Sequence, residues 1–325
     1  MTLIADAIKQ VDKSIEQALG RSPKQIAPLA GHLLDSRGQG VRAKLLLTAA
    51  SNNEQIHDHA IKAASAIEIF HLATLVHDDV IDDSPIRRGL PSVQSKFGKK
   101  HAVICGDYLF GLSLSMVADI YQPYTEFGEK FVKNIRLICL GELQQLSNAN
   151  NLDLPFFDYL RIINGKTAVL FHVATFGGAI ISKYHGNLNE RQAKQIGRLG
   201  TYFGIIFQIL DDCKDYTLDT KTAKKPTNTD IANGVVNLPL IMAMSKDMRL
   251  GDKVRAAMAT REYGDIVKEV SLLGLTPTMD IAYRYAAKCR VILQEIPHLM
   301  AKEFEQLLNT QFSLASKNTE QHVTK

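Results

Sequence analysis

Five stretches of this chain carry apolar residues at helical spacing, and none alternates as a strand would. They run over 60–75, 102–120, 131–146, 156–181 and 193–216. In the first, Ile61, Ala64, Ile67, Ile69, Phe70, Leu72, Ala73 and Leu75 leave little polar surface. That is the pattern of a helix buried on most sides. Short alternating runs divided by Asn-Gly or Asp-Gly turns, the mark of an all-β fold, are missing. Breaks fall at Asp83-Ser84-Pro85, where proline ends a helix, and at Asn187-Leu188-Asn189-Glu190, which offers an N-cap. The polar stretch 217–237 reads as a loop, and Pro239 as a new helix start. Several helices of about 20 residues joined by short loops predict an all-α fold. The expectation is a single-domain bundle of about ten or more helices over residues 1–325, with a polar, disordered tail at 313–325.

A composition of 46% hydrophobic residues supplies a substantial core, and a net charge of +4 excludes a nucleic-acid binder that relies on general basicity. The four cysteines, Cys105, Cys139, Cys213 and Cys289, are scattered, with no metal or redox spacing. They read as packing thiols in a reducing compartment. The N-terminus shows no signal-peptide pattern, and no uninterrupted apolar run reaches about 18 residues. A soluble cytoplasmic protein without a transmembrane segment is therefore expected.

Against that apolar background stand two acidic clusters, about 130 residues apart. The first is His77-Asp78-Asp79-Val80-Ile81-Asp82-Asp83; the second is Asp211-Asp212-Cys213-Lys214-Asp215. Both contain the pattern D-D-x-x-D. On a helix, residues i and i+4 share a face, so Asp78 stacks on Asp82 and Asp211 on Asp215. Like charges so placed repel and weaken the helix. Hard divalent cations would relieve that repulsion, because Mg²⁺ takes oxygen ligands from one or two carboxylates plus substrate phosphates. Cys213 reads as a spacer, since a hard cation does not favour a thiolate. Across the helical interior the two clusters would face each other.

Basic groups follow each cluster. Pro85-Ile86-Arg87-Arg88-Gly89 comes just after the first, Asn164-Gly165-Lys166-Thr167 interrupts an apolar helix, and Lys225-Pro226 follows the second. Arginine presents a rigid fork of donors that matches phosphate oxygens. Carboxylates and cations together suggest Mg²⁺ bridging a diphosphate. His71 lies seven residues before Asp78, two turns back on about the same face, which raises a functional reading over that of a core histidine. His77 reads as structural, and Gly177-Gly178 as a site of close helix packing.

This series resembles the trans-type isoprenyl diphosphate synthases, the polyprenyl synthase family, over roughly residues 30 to 300. The motifs come in the family's order: D-D-x-x-D, R-R-G, K-T, F-Q-x-x-D-D-x-x-D, K-P. The resemblance implies an all-α bundle around a central cavity, a transferase of isoprenoid biosynthesis and a homodimer. It implies that Asp78 and Asp82 bind two Mg²⁺ ions, with Asp79 supporting, and that Asp211 binds a third, backed by Asp212 and Asp215. Arg87, Lys166 and Lys225 would contact the allylic diphosphate, and Arg42, His71 and Arg88 the diphosphate of isopentenyl diphosphate. Thr167 and Gln208 would line the reaction centre. Bulky side chains before the first aspartate floor the product tunnel in this family. With Ala73 and Thr74 small and Phe70 a turn deeper, a product of twenty carbons (geranylgeranyl diphosphate) or longer is expected.

The chain departs from the family near its N-terminus. Where G-G-K-R-x-R-P is usual, it has Arg37-Gly38-Gln39-Gly40-Val41-Arg42-Ala43, and Val235 stands where a lysine is frequent. Each lost charge-assisted contact is worth about 1.5–3 kcal/mol. Lys44, Lys224 and Arg37 are candidate replacements. Other readings are an enzyme that ionises an allylic diphosphate without elongating it, as a terpene synthase does, and a subunit of a heteromeric synthase. A helical di-metal oxidase needs Glu and Glu-x-x-His ligands, which neither cluster offers.

Overall fold

The computed structural model describes residues 3–35, 38–51, 56–217 and 229–319. In chain order the helices are α1 (Leu3–Gly20), α2 (Ala27–Asp35), α3 (Val41–Ala50) and α4 (Asp58–Ile81). A two-residue strand pair follows, β1 (Ile86–Arg87) and β2 (Leu90–Pro91). Then come α5 (Val93–Phe97), α6 (Lys99–Ala118), α7 (Thr125–Ser147) and α8 (Phe156–Ile163), a π-helical turn (Asn164–Ala168), α9 (Val169–Tyr184) and α10 (Glu190–Lys214). The chain ends with α11 (Thr229–Ala232), α12 (Leu238–Lys246), α13 (Leu250–Thr260), α14 (Gly264–Leu293) and α15 (His298–Thr319). The fold is all-α, as the apolar spacing predicts.

Where the sequence suggests one domain, the backbone groups into two compact units, each drawing on two stretches of chain. The first comprises Met1–Val132 and Val173–Arg198. Its centre is α4, which packs on α6, α3 and α1. Helix α1 buries Ala7, Val11, Ile15 and Leu19, a strict i, i+4 stripe. Within this unit α9 lies so close to α3 that a Cβ on Gly178 would sit 2.1 Å from the Leu46 carbonyl oxygen.

The second unit comprises Lys133–His172 and Leu199–Lys325. Here α14 packs on α12, α13 and α15. The expectation of a disordered tail from 313 is corrected: α15 is helical to Thr319, and 320–325 lie outside the described residues. The physical reason is an apolar stripe of Leu308, Phe312 and Ala315, in which Phe312 stacks on Tyr283 with ring centroids 4.9 Å apart.

Among the described residues, three helices bear on the membrane expectation by length and composition alone. Asp58–Ile81, Lys99–Ala118 and the continuous helix Phe156–Tyr184 are long and apolar enough to cross a bilayer. Isolated polar residues such as Ser65, Glu68 and His71 interrupt the apolar run without making the segment polar. In the first and third helices 67% and 78% of the apolar window is buried within the protein, which accounts for their composition; in the second, 33% is.

Candidate active site

In the first unit the site is built on the end of α4. Asp82 is the C-cap, and its backbone N–H donates to the Asp78 carbonyl at 2.8 Å. That bond fixes the i, i+4 stacking of Asp78 and the exposed Asp82. Asp79 points the other way and is 3% exposed. Arg87 Nε donates to Asp79 Oδ1 at 2.9 Å, and Arg87 Nη2 bonds the same oxygen. Gln94 Nε2 donates to the Asp79 carbonyl at 2.6 Å and to the Ser84 carbonyl at 3.1 Å. Asp79 is thus the anchor that ties the R-R-G segment to α4.

That segment is a hairpin. Ile86 pairs with Pro91 and Arg87 with Leu90, leaving Arg88-Gly89 as a two-residue turn. Both turn residues have positive φ, 53° and 81°, as a type I′ turn requires. The turn explains the glycine of R-R-G. It also turns Arg88 off the line of Arg87, toward a second cluster of charge.

This cluster comprises Arg42, Glu68, His71 and Arg88. Arg42 is buried, and burial lowers its guanidinium to about 10 against the opposing pull of Glu68. Burial likewise holds His71 well below the ordinary histidine range, and Arg42, Arg88 and Arg87 push it further. Glu68 is raised by burial and lowered by Arg42; its Oε1 accepts the Ala43 N–H at 2.9 Å. Glu68 thus ties α4 to the first turn of α3 and sets a carboxylate beside Arg42. Sequence reading passed over it, although a carboxylate three residues before His71 on an apolar helix was the available signal. Of the departing positions, Gln39 is exposed, Gly40 is the left-handed N-cap of α3 at φ 60°, and Ala43 is buried. Arg37 lies outside the described residues.

Deeper along α4, Phe70 is 1% exposed and meets the rings of Phe110 and Phe131 at 5.0 and 5.3 Å. Ala73 is fully buried. Thr74 Oγ1 donates to the His71 carbonyl at 2.8 Å, so its hydroxyl is spent on its own helix. His77 Nε2 lies 3.1 Å from the Val103 carbonyl, a tie between α4 and α6.

In the second unit the π-helical turn carries Lys166 and Thr167. Such single turns inside α-helices re-aim side chains and are frequent at functional sites. The turn is accommodated by α7, where a Cβ on Gly141 would lie 2.3 Å from the Lys166 backbone nitrogen. Lys166 Nζ is 3.0 Å from both carboxylate oxygens of Glu142. Thr167 Oγ1 donates to Gln208 Oε1 at 2.7 Å. Gln208 Nε2 donates to Asp212 Oδ1 at 2.8 Å, and the Tyr159 hydroxyl donates to Asp212 Oδ2 at 2.7 Å. Burial raises the Asp212 carboxyl to about 7 in spite of these donors.

The remaining aspartates sit at the end of α10 and just beyond. Asp211 is half exposed and accepts Lys214 Nζ at 2.8 Å. Asp215 Oδ2 accepts the Asp230 N–H at 3.0 Å. Asp230 is itself raised well above the carboxylate range by burial, then by Asp215 and Asp212. Asn237 Nδ2 donates to Asp230 at 3.0 Å, and Asn237 Oδ1 accepts the Tyr216 hydroxyl at 2.9 Å. Lys225, with Lys224, lies outside the described residues. Tyr159, Glu142, Asp230 and Asn237 were not singled out from sequence; an aromatic hydroxyl on the short apolar helix α8 was the one available sign.

Among the described residues no group of three or more His, Cys, Asp or Glu side chains closes around a metal. The donor set nonetheless suits Mg²⁺, which seldom occupies an all-protein cage. Asp78, Asp82, Asp211 and Asp215 offer only oxygen, and Asp82 and Asp211 are open to solvent. The neighbouring Cys213 thiol is buried and pushed up to about 12, so no thiolate competes.

A family model described as polyprenyl synthetase matches residues 23–271. The chain is 31% identical over 300 residues to heptaprenyl diphosphate synthase component 2 of Geobacillus stearothermophilus, covering 91% of this chain and 92% of that one. It is 29% identical over 307 residues to geranylgeranyl diphosphate synthase of Saccharolobus solfataricus, covering 90% of each. It is also similar to the crystal structure of a polyprenyl synthase from Caulobacter crescentus complexed with calcium and isoprenyl diphosphate. The TM-score is 0.85 at 29% identity, over 96% of this chain and 95% of that one.

Proposed function

The chain belongs to the polyprenyl synthetase family, and from that membership we propose that it condenses an allylic diphosphate with isopentenyl diphosphate to give an all-trans polyprenyl diphosphate. The observation that carries this reading is the cluster of Arg42, His71 and Arg88 on one side of the R-R-G turn, with Asp78 and Asp82 stacked one turn apart at the end of α4. The first can grip a diphosphate by charge; the second can present carboxylates to Mg²⁺. Relatives named for products of twenty carbons and more support a product in that range.

Asp78 and Asp82 would hold two Mg²⁺ ions, and Asp211, with Asp215, a third. Bound Mg²⁺ neutralises the diphosphate and stabilises the charge that develops on the departing pyrophosphate. Arg87, Lys166 and Lys225 would take the remaining oxygens of the allylic diphosphate. For Lys166 this means exchanging Glu142 for phosphate, and Glu142 then serves to hold the ammonium in place beforehand. Arg42, His71 and Arg88 would orient isopentenyl diphosphate. His71, kept neutral by its surroundings, acts there as a hydrogen-bonding group. Thr167 and Gln208 turn their dipoles toward the allylic cation, the double bond of isopentenyl diphosphate attacks it, and the released pyrophosphate takes the proton.

Incubation with Mg²⁺, an allylic diphosphate and labelled isopentenyl diphosphate tests the reading. Label must appear in a longer prenyl diphosphate; label confined to starting material sinks it. We further propose a cytoplasmic homodimer. Cytoplasmic placement is supported by four cysteines without disulfides. Dimerisation is supported by exposed Val103, Ile104 and Leu114 on α6, and by exposed Leu137, Leu140 and Leu143 on α7 of the other unit. Light scattering on the purified chain should give twice the monomer mass. A relative named as component 2 favours one further reading, a subunit of a heteromeric synthase. That reading gains if the purified chain is inactive alone and active with a partner chain.

A further inference from the structure

We propose that Tyr159 is a positioning residue that fixes the direction of hydrogen bonding at Thr167. It rests on the reading of Thr167 and Gln208 as the groups facing the allylic cation. The side chains form one chain of bonds: Tyr159 to Asp212, Gln208 to Asp212, Thr167 to Gln208.

The chain has a polarity, and Tyr159 and Asp212 set it. An amide can turn either end toward a neighbour. Tyr159 donates to Asp212 Oδ2 and leaves Oδ1 as the acceptor that Gln208 meets, so the end of Gln208 facing it is the amino group. Gln208 Oε1 is left for Thr167, which must therefore be the donor in that bond. With its proton committed to Gln208, the Thr167 oxygen has only lone pairs to show a second partner. A cation is stabilised by lone pairs and repelled by an O–H pointing at it.

Tyr159 holds the far end. It is 3% exposed, and burial followed by Asp212 raises its hydroxyl well above the ordinary tyrosine range, so it remains a donor. Its bond occupies Asp212 Oδ2 and keeps Oδ1 for Gln208. Thr167 and Asp212 are also buried, so water does not compete for these atoms. Without the Tyr159 hydroxyl, Asp212 can rotate, Gln208 can flip, and Thr167 can present its proton instead.

The test is a double-mutant cycle on the full-length enzyme, with Thr167→Val, Tyr159→Phe and the double variant. Thr167→Val should lower kcat strongly. Tyr159→Phe removes one oxygen and should lower kcat about tenfold, with KM for both diphosphates unchanged. The double variant should lose no more than Thr167→Val alone, because residues acting through one chain are not additive. Additive losses, or a Tyr159→Phe enzyme with parental kcat, overturn the proposal. Full turnover in Thr167→Val overturns the functional reading of Thr167 itself. If Tyr159→Phe fails to fold, Tyr159→Met, which fills the space without a hydroxyl, serves in its place. It frees the Gln208 amide to flip and should show the same kcat loss and the same non-additivity with Thr167→Val; additivity there overturns the proposal equally.

Discussion

Gln39 and His71 show how much depends on a single side chain. Gln39 is exposed at the foot of α3, close in sequence to the buried Arg42. Gln39→Lys restores a cation where the family carries one. One charge-assisted bond of about 1.5 kcal/mol lowers KM for isopentenyl diphosphate about tenfold, read from initial rates at saturating allylic substrate. His71 predicts a pH effect. Its folded-state value lies well below the ordinary 6.5, so the unfolded chain binds the proton more readily. Its contribution to stability is intact above 6.5 and is lost as the pH falls from there toward the folded value. Melting temperature should drop through that window, and less steeply in His71→Gln. Sequence reading reaches the aspartates and Lys166 because charged residues stand out on apolar helices, and Arg87 and Arg88 because they follow one. It does not reach Glu68 and Tyr159, because their role lies in partners distant in sequence, Ala43 at one and Asp212 at the other.

At the scale of elements, the apolar spacing located α4, α6, α7, the run α8–α9 and α10, and passed over α1, α14 and α15, whose apolar residues form a narrower stripe among polar ones. The hairpin left no periodic record, because a ladder of two residues per strand is too short to alternate. Its glycine has a measurable role. Gly89→Ala places a side chain at φ 81°, which costs about 1–3 kcal/mol of backbone strain. The turn should relax, Arg88 should lose its aim, and KM for isopentenyl diphosphate should rise more than KM for the allylic substrate. The α7 contact with the π-helical turn is equally specific. Gly141→Ala pushes a methyl into the backbone at Lys166, so activity should fall by tenfold or more, as follows from an overpacking cost of about 1–3 kcal/mol. Nothing in the Asn164-Gly165-Lys166-Thr167 stretch announces a π-helical turn; it follows from what the neighbouring helices allow.

For the whole molecule, the fold class was legible and the grouping into two units was not. Helical periodicity is local, whereas the units join stretches far apart in sequence, with 173–198 belonging to the first and 199–325 to the second. Product length is a property of the assembled protein. Ala73 is fully buried one turn above Phe70, so Ala73→Phe should shorten the product, as chromatography of the hydrolysed prenyl alcohols would show. An unchanged product distribution would remove Ala73 from the ruler. The π-helical turn has a broader consequence. It is a one-residue surplus taken up within a single wide turn, so deleting one residue from 164–168 would close that turn to ordinary winding and change the directions of the side chains inside it by up to about 100°. The count of residues between Ile163 and Val169 is therefore a phase setting for the turn: it decides where Lys166 and Thr167 point, independently of which side chains they carry.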